Sequence, residues 1–241
     1  MSKLIRKLDV RITGIHFHLR SNVRIPDMYR QAIDETVAAC RNNEIEPEYL
    51  DCGGGLPVEG EEPLWEKTDG TPFDLVAYAK VLTEVSQKCP SIREIWLENG
   101  RFISSASAAL IVRILDIKDR NRSRYLICDG GRTNQAIVSE WQRNPITTVP
   151  ARTGPTRLTT ICGPTCMAYD QLARLELPTS LRAGDLLLWR NAGAYHIPWE
   201  TRFSFGLAAV VVIDVDNTLR LARSAETFAD WWKMWRKGSE L

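Results

Sequence analysis

Three consecutive glycines, Gly53, Gly54 and Gly55, close the short apolar run Tyr49-Leu50-Asp51-Cys52. Glycines in a row cost backbone entropy on folding, so a chain keeps them where a side chain would obstruct something. A strand running into such a turn presents backbone N–H groups that can cradle a phosphate. Other residues able to do chemistry are sparse. The three histidines are His16, His18 and His196, and the six cysteines lie at 40, 52, 89, 128, 162 and 166. Cys162 and Cys166 are the closest pair, but their spacing is not CxxC and there is no second pair, so no metal site is expected. Taken by type alone, His16 and His18 are core histidines of an apolar strand and Glu98 is an exposed acid at a strand end. Tyr195 is a packed tyrosine at a turn, and Cys166 is a small hydrophobe.

The elements that must position these residues alternate. Arg11–Leu19 has β-branched and aromatic residues in partial alternation and reads as a strand. Pro26 suits the first turn of a helix in which Tyr29, Ile33, Val37 and Cys40 repeat at helical spacing through Arg41. Glu48–Cys52 is a second strand, and Leu56–Thr71 is a polar loop with four glutamates. Thr71-Pro72-Phe73-Asp74 reads as a capping box that starts a helix running to about Lys88. Ser91–Leu97 is a third strand, Glu98-Asn99-Gly100-Arg101 follows it, and Ser104–Leu115 is expected to be helical. Strand–helix alternation at this spacing predicts parallel βαβ units.

Beyond residue 115 the pattern changes to strands joined by Gly, Pro and Asn turns: Arg124–Cys128, Thr159–Cys162, Leu186–Trp189, Leu207–Val215 and Leu219–Arg223. The expected fold class is therefore α/β over residues 1–115, followed by an antiparallel β-domain over 116–241. A short amphipathic helix over Ser224–Lys237 carries Trp231, Trp232 and Trp235, which are expected to pack in a core or an interface. Three parallel units leave strand edges exposed on both sides and cannot close a barrel.

Composition excludes several classes. With 31 Lys+Arg against 30 Asp+Glu the net charge is +1, which argues against a nucleic-acid binder or a polybasic membrane surface. The lead Met1–Asp9 is charged with no apolar stretch after it, so no signal peptide is expected, and Leu207–Val215 is too short to cross a bilayer. Scattered cysteines in apolar contexts suit reduced thiols in a cytoplasm.

GIHFHLRSN, LDCGGGLP, WLENGRF, ICDGG, CGPTCMAYD and GDLLLWRNAGAY occur in the order and spacing of the fold-type III pyridoxal-phosphate decarboxylases. The chain resembles the later half of that family, the diaminopimelate and ornithine decarboxylase relatives, and CGPTCMAYDQL is especially similar to the ornithine branch. The resemblance implies the last part of a (β/α)8 barrel followed by the family's β-domain, with pyridoxal 5'-phosphate as cofactor. It implies that Gly53, Gly54, Gly55 and the Gly100–Arg101 turn hold the phosphate through backbone N–H groups, helped by Ser21 and the Tyr195 hydroxyl. It places Glu98 at the ring nitrogen, where a carboxylate keeps a pyridinium, and stacks His18 on the ring. Cys166 matches the cysteine that reaches across a dimer interface and returns a proton after CO2 departs. Arg20 stands where the family pattern has glycine.

The resemblance also implies a changed substrate. Met167 replaces an acid that binds the distal amine in diamine-forming relatives, and Trp141 is the approximate counterpart of a second acid. Losing both removes the electrostatic reason to bind ornithine or lysine. Arg132, with Met167 and Phe203, is expected to face an amino acid with a neutral, aromatic or acidic distal group, or a larger conjugate. The family's Schiff-base lysine lies well upstream of the histidine motif, and Lys3, Lys7 and Lys67 do not match its position. The expected partner is a complementary N-terminal-half polypeptide bearing that lysine, with two such pairs forming a dimer. The alternatives are a non-catalytic homologue that binds and regulates or stabilises a related enzyme, and a truncated product or fragment with no independent role.

Overall fold

A computed structural model of the chain describes residues 7–63, 71–121, 123–135 and 140–236. The chain divides into two compact units between Ser107 and Ala108.

The first unit holds β1 (Gly14–His16), α1 (Pro26–Asn42), β2 (Tyr49–Asp51), β3 (Glu62–Pro63), α2 (Leu75–Thr83), α3 (Val85–Lys88), β4 (Glu94–Trp96) and α4 (Gly100–Ser104). β1, β2 and β4 form a parallel sheet in the order β1-β2-β4, in which Leu50 is flanked by Ile15 and Ile95. Those apolar residues share one face, the helix side of the core. Tyr29, Ile33 and Val37 of α1, Tyr78 and Val81 of α2 and Val85 of α3 pack there with Leu50 and Cys52. The helical spacing of Tyr29, Ile33, Val37 and Cys40 is thus the buried stripe of α1. The expected helix from Thr71 to Lys88 starts later and breaks once. Asp74 is the cap, its carboxylate accepting from the Ala77 N–H at 2.8 Å, and the run is interrupted at Glu84.

The other face of the parallel sheet is open. Tyr49 and Trp96 stack on it with ring centroids 4.1 Å apart, and the Tyr49 ring lies so close over Gly14 that a Cβ there would fall 2.0 Å from it. Trp96 stays 47% exposed. Among the described residues, β1 and β4 each have one strand neighbour, so both outer edges are unpaired.

The second unit holds β5 (Leu110–Arg120), β6 (Ser123–Cys128), α5 (Arg132–Gln135), β7 (Gln142–Arg143), β8 (Ile146–Val149), β9 (Thr156–Cys162), β10 (Gln171–Pro178), β11 (Leu186–Trp189), β12 (Val210–Ile213), β13 (Leu219–Arg223) and α6 (Phe228–Arg236). Six strands form a sheet in the order β10-β9-β6-β5-β11-β8, antiparallel throughout except for the parallel pair β6–β9. β5 serves two neighbours: residues 110–113 pair with β11, and residues 114–120 pair with β6 past an irregularity between Ile114 and Asp116. An extra residue there bends the strand and curls the sheet. Val112, Ile114, Leu126, Cys128, Ile161, Leu172, Leu187 and Trp189 form the core.

Two expectations are corrected. Ser104–Leu115 is not a helix: α4 ends at Ser104, a 3-10 turn covers Ser105–Ser107, and Leu110 opens β5. Val112 and Ile114 are buried while Ile111, Arg113 and Leu115 are exposed, a period of two that pairing across the sheet enforces over the helix propensity of Ala and Leu. The boundary consequently falls at Ser107 rather than 115. Of the tryptophans of α6, Trp231 is half-buried and Trp232 and Trp235 are exposed. No helix among the described residues is long and apolar enough to cross a membrane.

His196 is buried in the second unit with Nδ1 2.9 Å from the Ala194 carbonyl oxygen. Burial holds its pKa below the ordinary 6.5, only partly offset by that hydrogen bond. The unfolded chain therefore binds a proton at His196 that the folded chain refuses, so stability is present above pH 6.5 and is lost as pH falls below it. Urea unfolding of the second unit, followed by its tryptophan emission, is expected to show a midpoint that drops from pH 7.5 to 5.5, with a smaller drop in His196→Gln. An equal drop in the variant would place the pH dependence elsewhere.

Candidate functional site

The carboxyl ends of β1, β2 and β4 converge on the glycine turn, the place where open α/β sheets bind ligands. Gly53 and Gly55 have φ of +63° and +103°, a left-handed backbone that residues with a Cβ rarely adopt. Space forbids side chains as well. A Cβ on Gly54 would lie 2.4 Å from the Glu98 carbonyl oxygen, and one on Gly55 would lie 2.1 Å from that of Arg20. The family's glycine at the Arg20 position is therefore not what permits the close approach; Gly55 supplies it. The Glu98 N–H donates to the Gly53 carbonyl at 2.9 Å, and the Val23 N–H donates to that of Gly55 at 2.9 Å.

Three of the N–H groups expected to face a phosphate, those of Gly53, Gly54 and Gly100, are engaged within the chain. The Gly53 N–H donates to Asp51 Oδ1 at 2.9 Å, and the Gly54 N–H donates to His18 Nδ1 at 3.2 Å. Glu98 Oε2 comes within 4.0 Å of the same Nδ1. The His18 and Glu98 side chains are about half exposed, at 47% and 56%, and both remain open to a ligand. Ser21, three residues after His18 in the chain, is half-buried.

His16 departs from expectation. It is exposed rather than packed, and its Nδ1 meets Asp51 Oδ2 at 3.1 Å. Asp51 thus divides its carboxylate between His16 and Gly53 and clamps the start of the turn. His16, Asp51 and Glu98 bring ligand-type atoms within 4.8 Å of one another, but Asp51 already spends both oxygens on this clamp. An Asp two residues ahead of a glycine N–H is the Asx-turn pattern, the signal by which the sequence marks Asp51.

Gly100 opens α4 with nothing within 4 Å of a Cβ built on it, so its bare face looks into open space. Its N–H donates to the Glu98 carbonyl at 2.9 Å. The side chain of Arg101 turns away into the protein. Nη1 pairs with Glu61 Oε2 at 2.7 Å and Nη2 donates to Asn22 Oδ1 at 2.9 Å, with Glu61 fully buried. Removing one partner of such a buried pair costs about 3–5 kcal/mol, so this pair fixes the Gly100 turn against the Leu56–Glu62 loop. Beneath the turn, burial and then the Asp51 charge push the Cys52 thiol up to about 12, and burial likewise raises Tyr29, whose hydroxyl donates to the Gly54 carbonyl at 3.1 Å, to about 12.

The second unit presents the other predicted residues on loops that one carboxylate organises. Asp170, 2% exposed, accepts from the Arg132 N–H at 2.8 Å, the Thr165 N–H at 3.0 Å and the Thr165 hydroxyl at 2.5 Å. A Cβ on Gly131 or Gly163 would strike its oxygens at 2.4 and 2.3 Å. Asp170 ends the motif CGPTCMAYD, yet its role depends on a loop distant in sequence. On the loop it braces, Cys166 is exposed and Met167 half-buried, whereas burial raises the thiols of Cys128, to about 12, and Cys162. Arg132 does meet a carboxylate, but it is the chain's own: its guanidinium is bonded to Glu140, with Nε donating to the Gln171 carbonyl at 3.3 Å.

Tyr195 adopts φ of +67°, a backbone that costs a bulky residue on the order of 1–3 kcal/mol and that gathers at functional sites. Its ring stacks on Trp199 with centroids 5.1 Å apart, and Trp141 stands edge-on to both. Trp199 was not singled out by sequence; its four-residue spacing from Tyr195 is the signal. Phe203 is exposed nearby in sequence.

A family model described as the C-terminal sheet domain of pyridoxal-dependent decarboxylases matches residues 34–193. The diaminopimelate decarboxylase of Actinosynnema pretiosum is 29% identical over 239 residues, 95% of this chain and 52% of that protein. Ornithine decarboxylase 2 of Drosophila melanogaster is 30% identical over 216 residues, 83% of this chain and 52% of that protein. The crystal structure of Helicobacter pylori diaminopimelate decarboxylase complexed with L-lysine superposes with a TM-score of 0.75 at 22% identity, over 95% of this chain and 55% of that one, a likeness of fold. The chain spans about half the length of the relatives it matches. Its motifs, its sheet domain and the extent of the match make it a member of the pyridoxal-phosphate-dependent ornithine/diaminopimelate/arginine decarboxylase family.

Proposed function

We propose that this chain supplies the later half of a pyridoxal-phosphate-dependent amino-acid decarboxylase. The lysine-bearing early strands would come from a separate, complementary polypeptide, and two such pairs would form a dimer. On this reading the first unit is the closing portion of a (β/α)8 barrel. The observation that carries it is the three-stranded parallel sheet with one bare face and two unpaired edges. Parallel sheets occur almost only with both faces covered, so this one calls for further strands.

The residues present fit the cofactor. Bound pyridoxal phosphate supplies an electron sink that weakens the bond from the α-carbon to the carboxylate. Glu98, at the end of β4, offers an exposed carboxylate able to hold a proton on a ring nitrogen. His18, oriented by the Gly54 N–H, offers an imidazole face for the ring to lie against. The open space at Gly100 admits a phosphate close to backbone that the Arg101–Glu61 pair keeps in place. Cys166, the exposed thiol, is the group to return a proton to the α-carbon.

Three results check this reading. Gly54→Ala, whose Cβ would meet the Glu98 carbonyl oxygen at 2.4 Å, is expected to weaken binding of pyridoxamine phosphate at least about tenfold in calorimetry. Brief alkylation of the native protein with iodoacetamide is expected to label Cys166 ahead of Cys40, Cys52 and Cys128, which are buried; equal labelling would remove Cys166 from its role. Affinity purification from the native host is expected to bring down a lysine-bearing chain of complementary length, and the pair to show cofactor absorbance and release CO2 from an amino acid. A full-length decarboxylase in its place would make this chain a regulatory partner instead.

A further inference from the structure

We propose that the long sheet of the second unit carries a phosphate-binding site of its own, formed on its outer face by Tyr125, Thr160 and Arg174. The register sets these three abreast. Tyr125 of β6 stands opposite Thr160 of β9, and Thr160 stands opposite Arg174 of β10. Neighbouring strands run about 4.8 Å apart, so the row is wide enough to surround one oxyanion with donors. Alternation turns the three away from Leu126, Ile161 and Leu177, which are buried in the core. They line a cavity of about 200 Å³, with Ser123, Arg124 and Leu158 as further wall. That volume suits a phosphate group and is small for a whole cofactor.

The polar groups of this cavity have no partners among the described residues. Thr160 is 8% exposed, yet its hydroxyl makes no hydrogen bond there. Buried polar groups are hydrogen-bonded as a rule, so an unengaged hydroxyl in the wall of a cavity marks a place for a group from outside. Arg174, exposed on the same row, forms neither an ion pair nor a hydrogen bond with its side chain. The Tyr125 and Ser123 hydroxyls are unengaged as well. A guanidinium fork beside several hydroxyl donors is the arrangement that matches phosphate oxygens.

The local charge favours an anion. Besides Arg174, the register puts Lys118, Arg120 and Asp116 of β5 and Glu176 of β10 on this face. Neither carboxylate lines the cavity: Asp116 Oδ2 lies 3.9 Å from Lys118 Nζ, and Glu176 stands opposite Leu158 without pairing with Arg174. Arg124 adds a charge that no acid among the described residues pairs with. It is buried, and its guanidinium donates only to carbonyls, those of Pro178 at 2.9 Å, Thr179 at 3.3 Å and Leu181 at 3.4 Å. A metal cation or an ammonium would find no carboxylate in this wall.

The test separates this site from the glycine turn, where a phosphate is also expected. Inorganic phosphate is titrated into the nitrogen-15-labelled full chain at constant ionic strength, and the amide resonances are followed. Saturable shifts are expected at Tyr125, Thr160 and Arg174, and they should persist in Gly54→Ala. Arg174→Gln, a change at an exposed side chain, should weaken binding at these amides at least about tenfold, the scale of one charge-assisted hydrogen bond. Thr160→Val, which keeps the buried shape, should weaken it too, whereas Arg157→Gln, whose guanidinium meets Asp119 instead, should weaken it far less. Acetate should bind at least about tenfold more weakly than phosphate, having one charge and fewer acceptors; equal binding would overturn the assignment to phosphate. Adenosine monophosphate and phosphoserine distinguish the sources: binding as tight as that of the free ion supports a phosphorylated metabolite, and weaker binding supports phosphate itself. No saturable shift at the three amides, or shifts unchanged in Arg174→Gln, would overturn the site and leave the glycine-turn reading untouched.

Discussion

The approach of the glycine turn to its neighbours is the contact on which the parallel unit depends. Gly54 passes beneath the Glu98 carbonyl and Gly55 passes against that of Arg20, each closer than any side chain would allow. That closeness lets the ends of three strands lock together. Glu98 donates to Gly53, Val23 to Gly55 and Gly54 to His18, so the residues after β1, β2 and β4 share one hydrogen-bonded cluster. The glycines therefore have a packing duty that exists before any ligand arrives. On the proposed reading a phosphate would add a second demand on the same backbone, since bulk at this turn would obstruct an anion as surely as it obstructs Glu98.

The helices and most strands of the parallel unit were legible because their signals are local. Tyr29, Ile33, Val37 and Cys40 recur at the helical period, and Glu48–Cys52 ends on glycines. β5 was misread because Ala, Leu and Ile over residues 108–115 satisfy a helix locally. Their true period of two appears only once β6 and β11 lie on either side. β10 went unseen for a related reason: Gln171–Pro178 mixes charged and apolar residues and acquires its strand character by pairing with β9. At the candidate site, the glycines, Glu98, His18 and Cys166 stand out from motifs as candidates, while Asp170 and Glu61 carry no local signal of the bracing that the fold gives them and Asp51 shows only its spacing to Gly53. The partners of Asp170 and Glu61 are groups 5 to 40 residues away, and only the fold brings them together.

These three carboxylates share a physical logic. Asp170 and Glu61 are drawn from water and Asp51 partly so, and each is satisfied by backbone N–H groups or a side-chain partner, which makes each a brace within the fold. Asp51 joins His16 to Gly53, Asp170 joins the loop of Arg132 to that of Thr165, and Glu61 joins its loop to Arg101. None is left to meet a ligand. The exposed chemistry stands beside them: His18 and Glu98 next to Asp51, Cys166 beside Thr165. Loops that must present a side chain to a partner cannot also rely on that side chain for their own order, so the bracing and the chemistry fall to different residues.

The two units differ in how far their sheets are complete. In the second unit the long sheet curls through β5 over its own apolar core, although the β12–β13 ribbon leaves Val211, Ile213, Leu219 and Leu221 exposed. In the first unit the sheet is only three strands wide, each of three residues, and helices cover one face. Antiparallel sheets tolerate a wet face; parallel ones very rarely do, because their crossovers place helices or further strands on both sides. The Tyr49–Trp96 stack hides part of the bare face but cannot pair the N–H and C=O groups along β1 and β4. The surface that further strands would have to supply is therefore the one bounded by those two edges, with His18, Gly53–Gly55 and Glu98 at its carboxyl end.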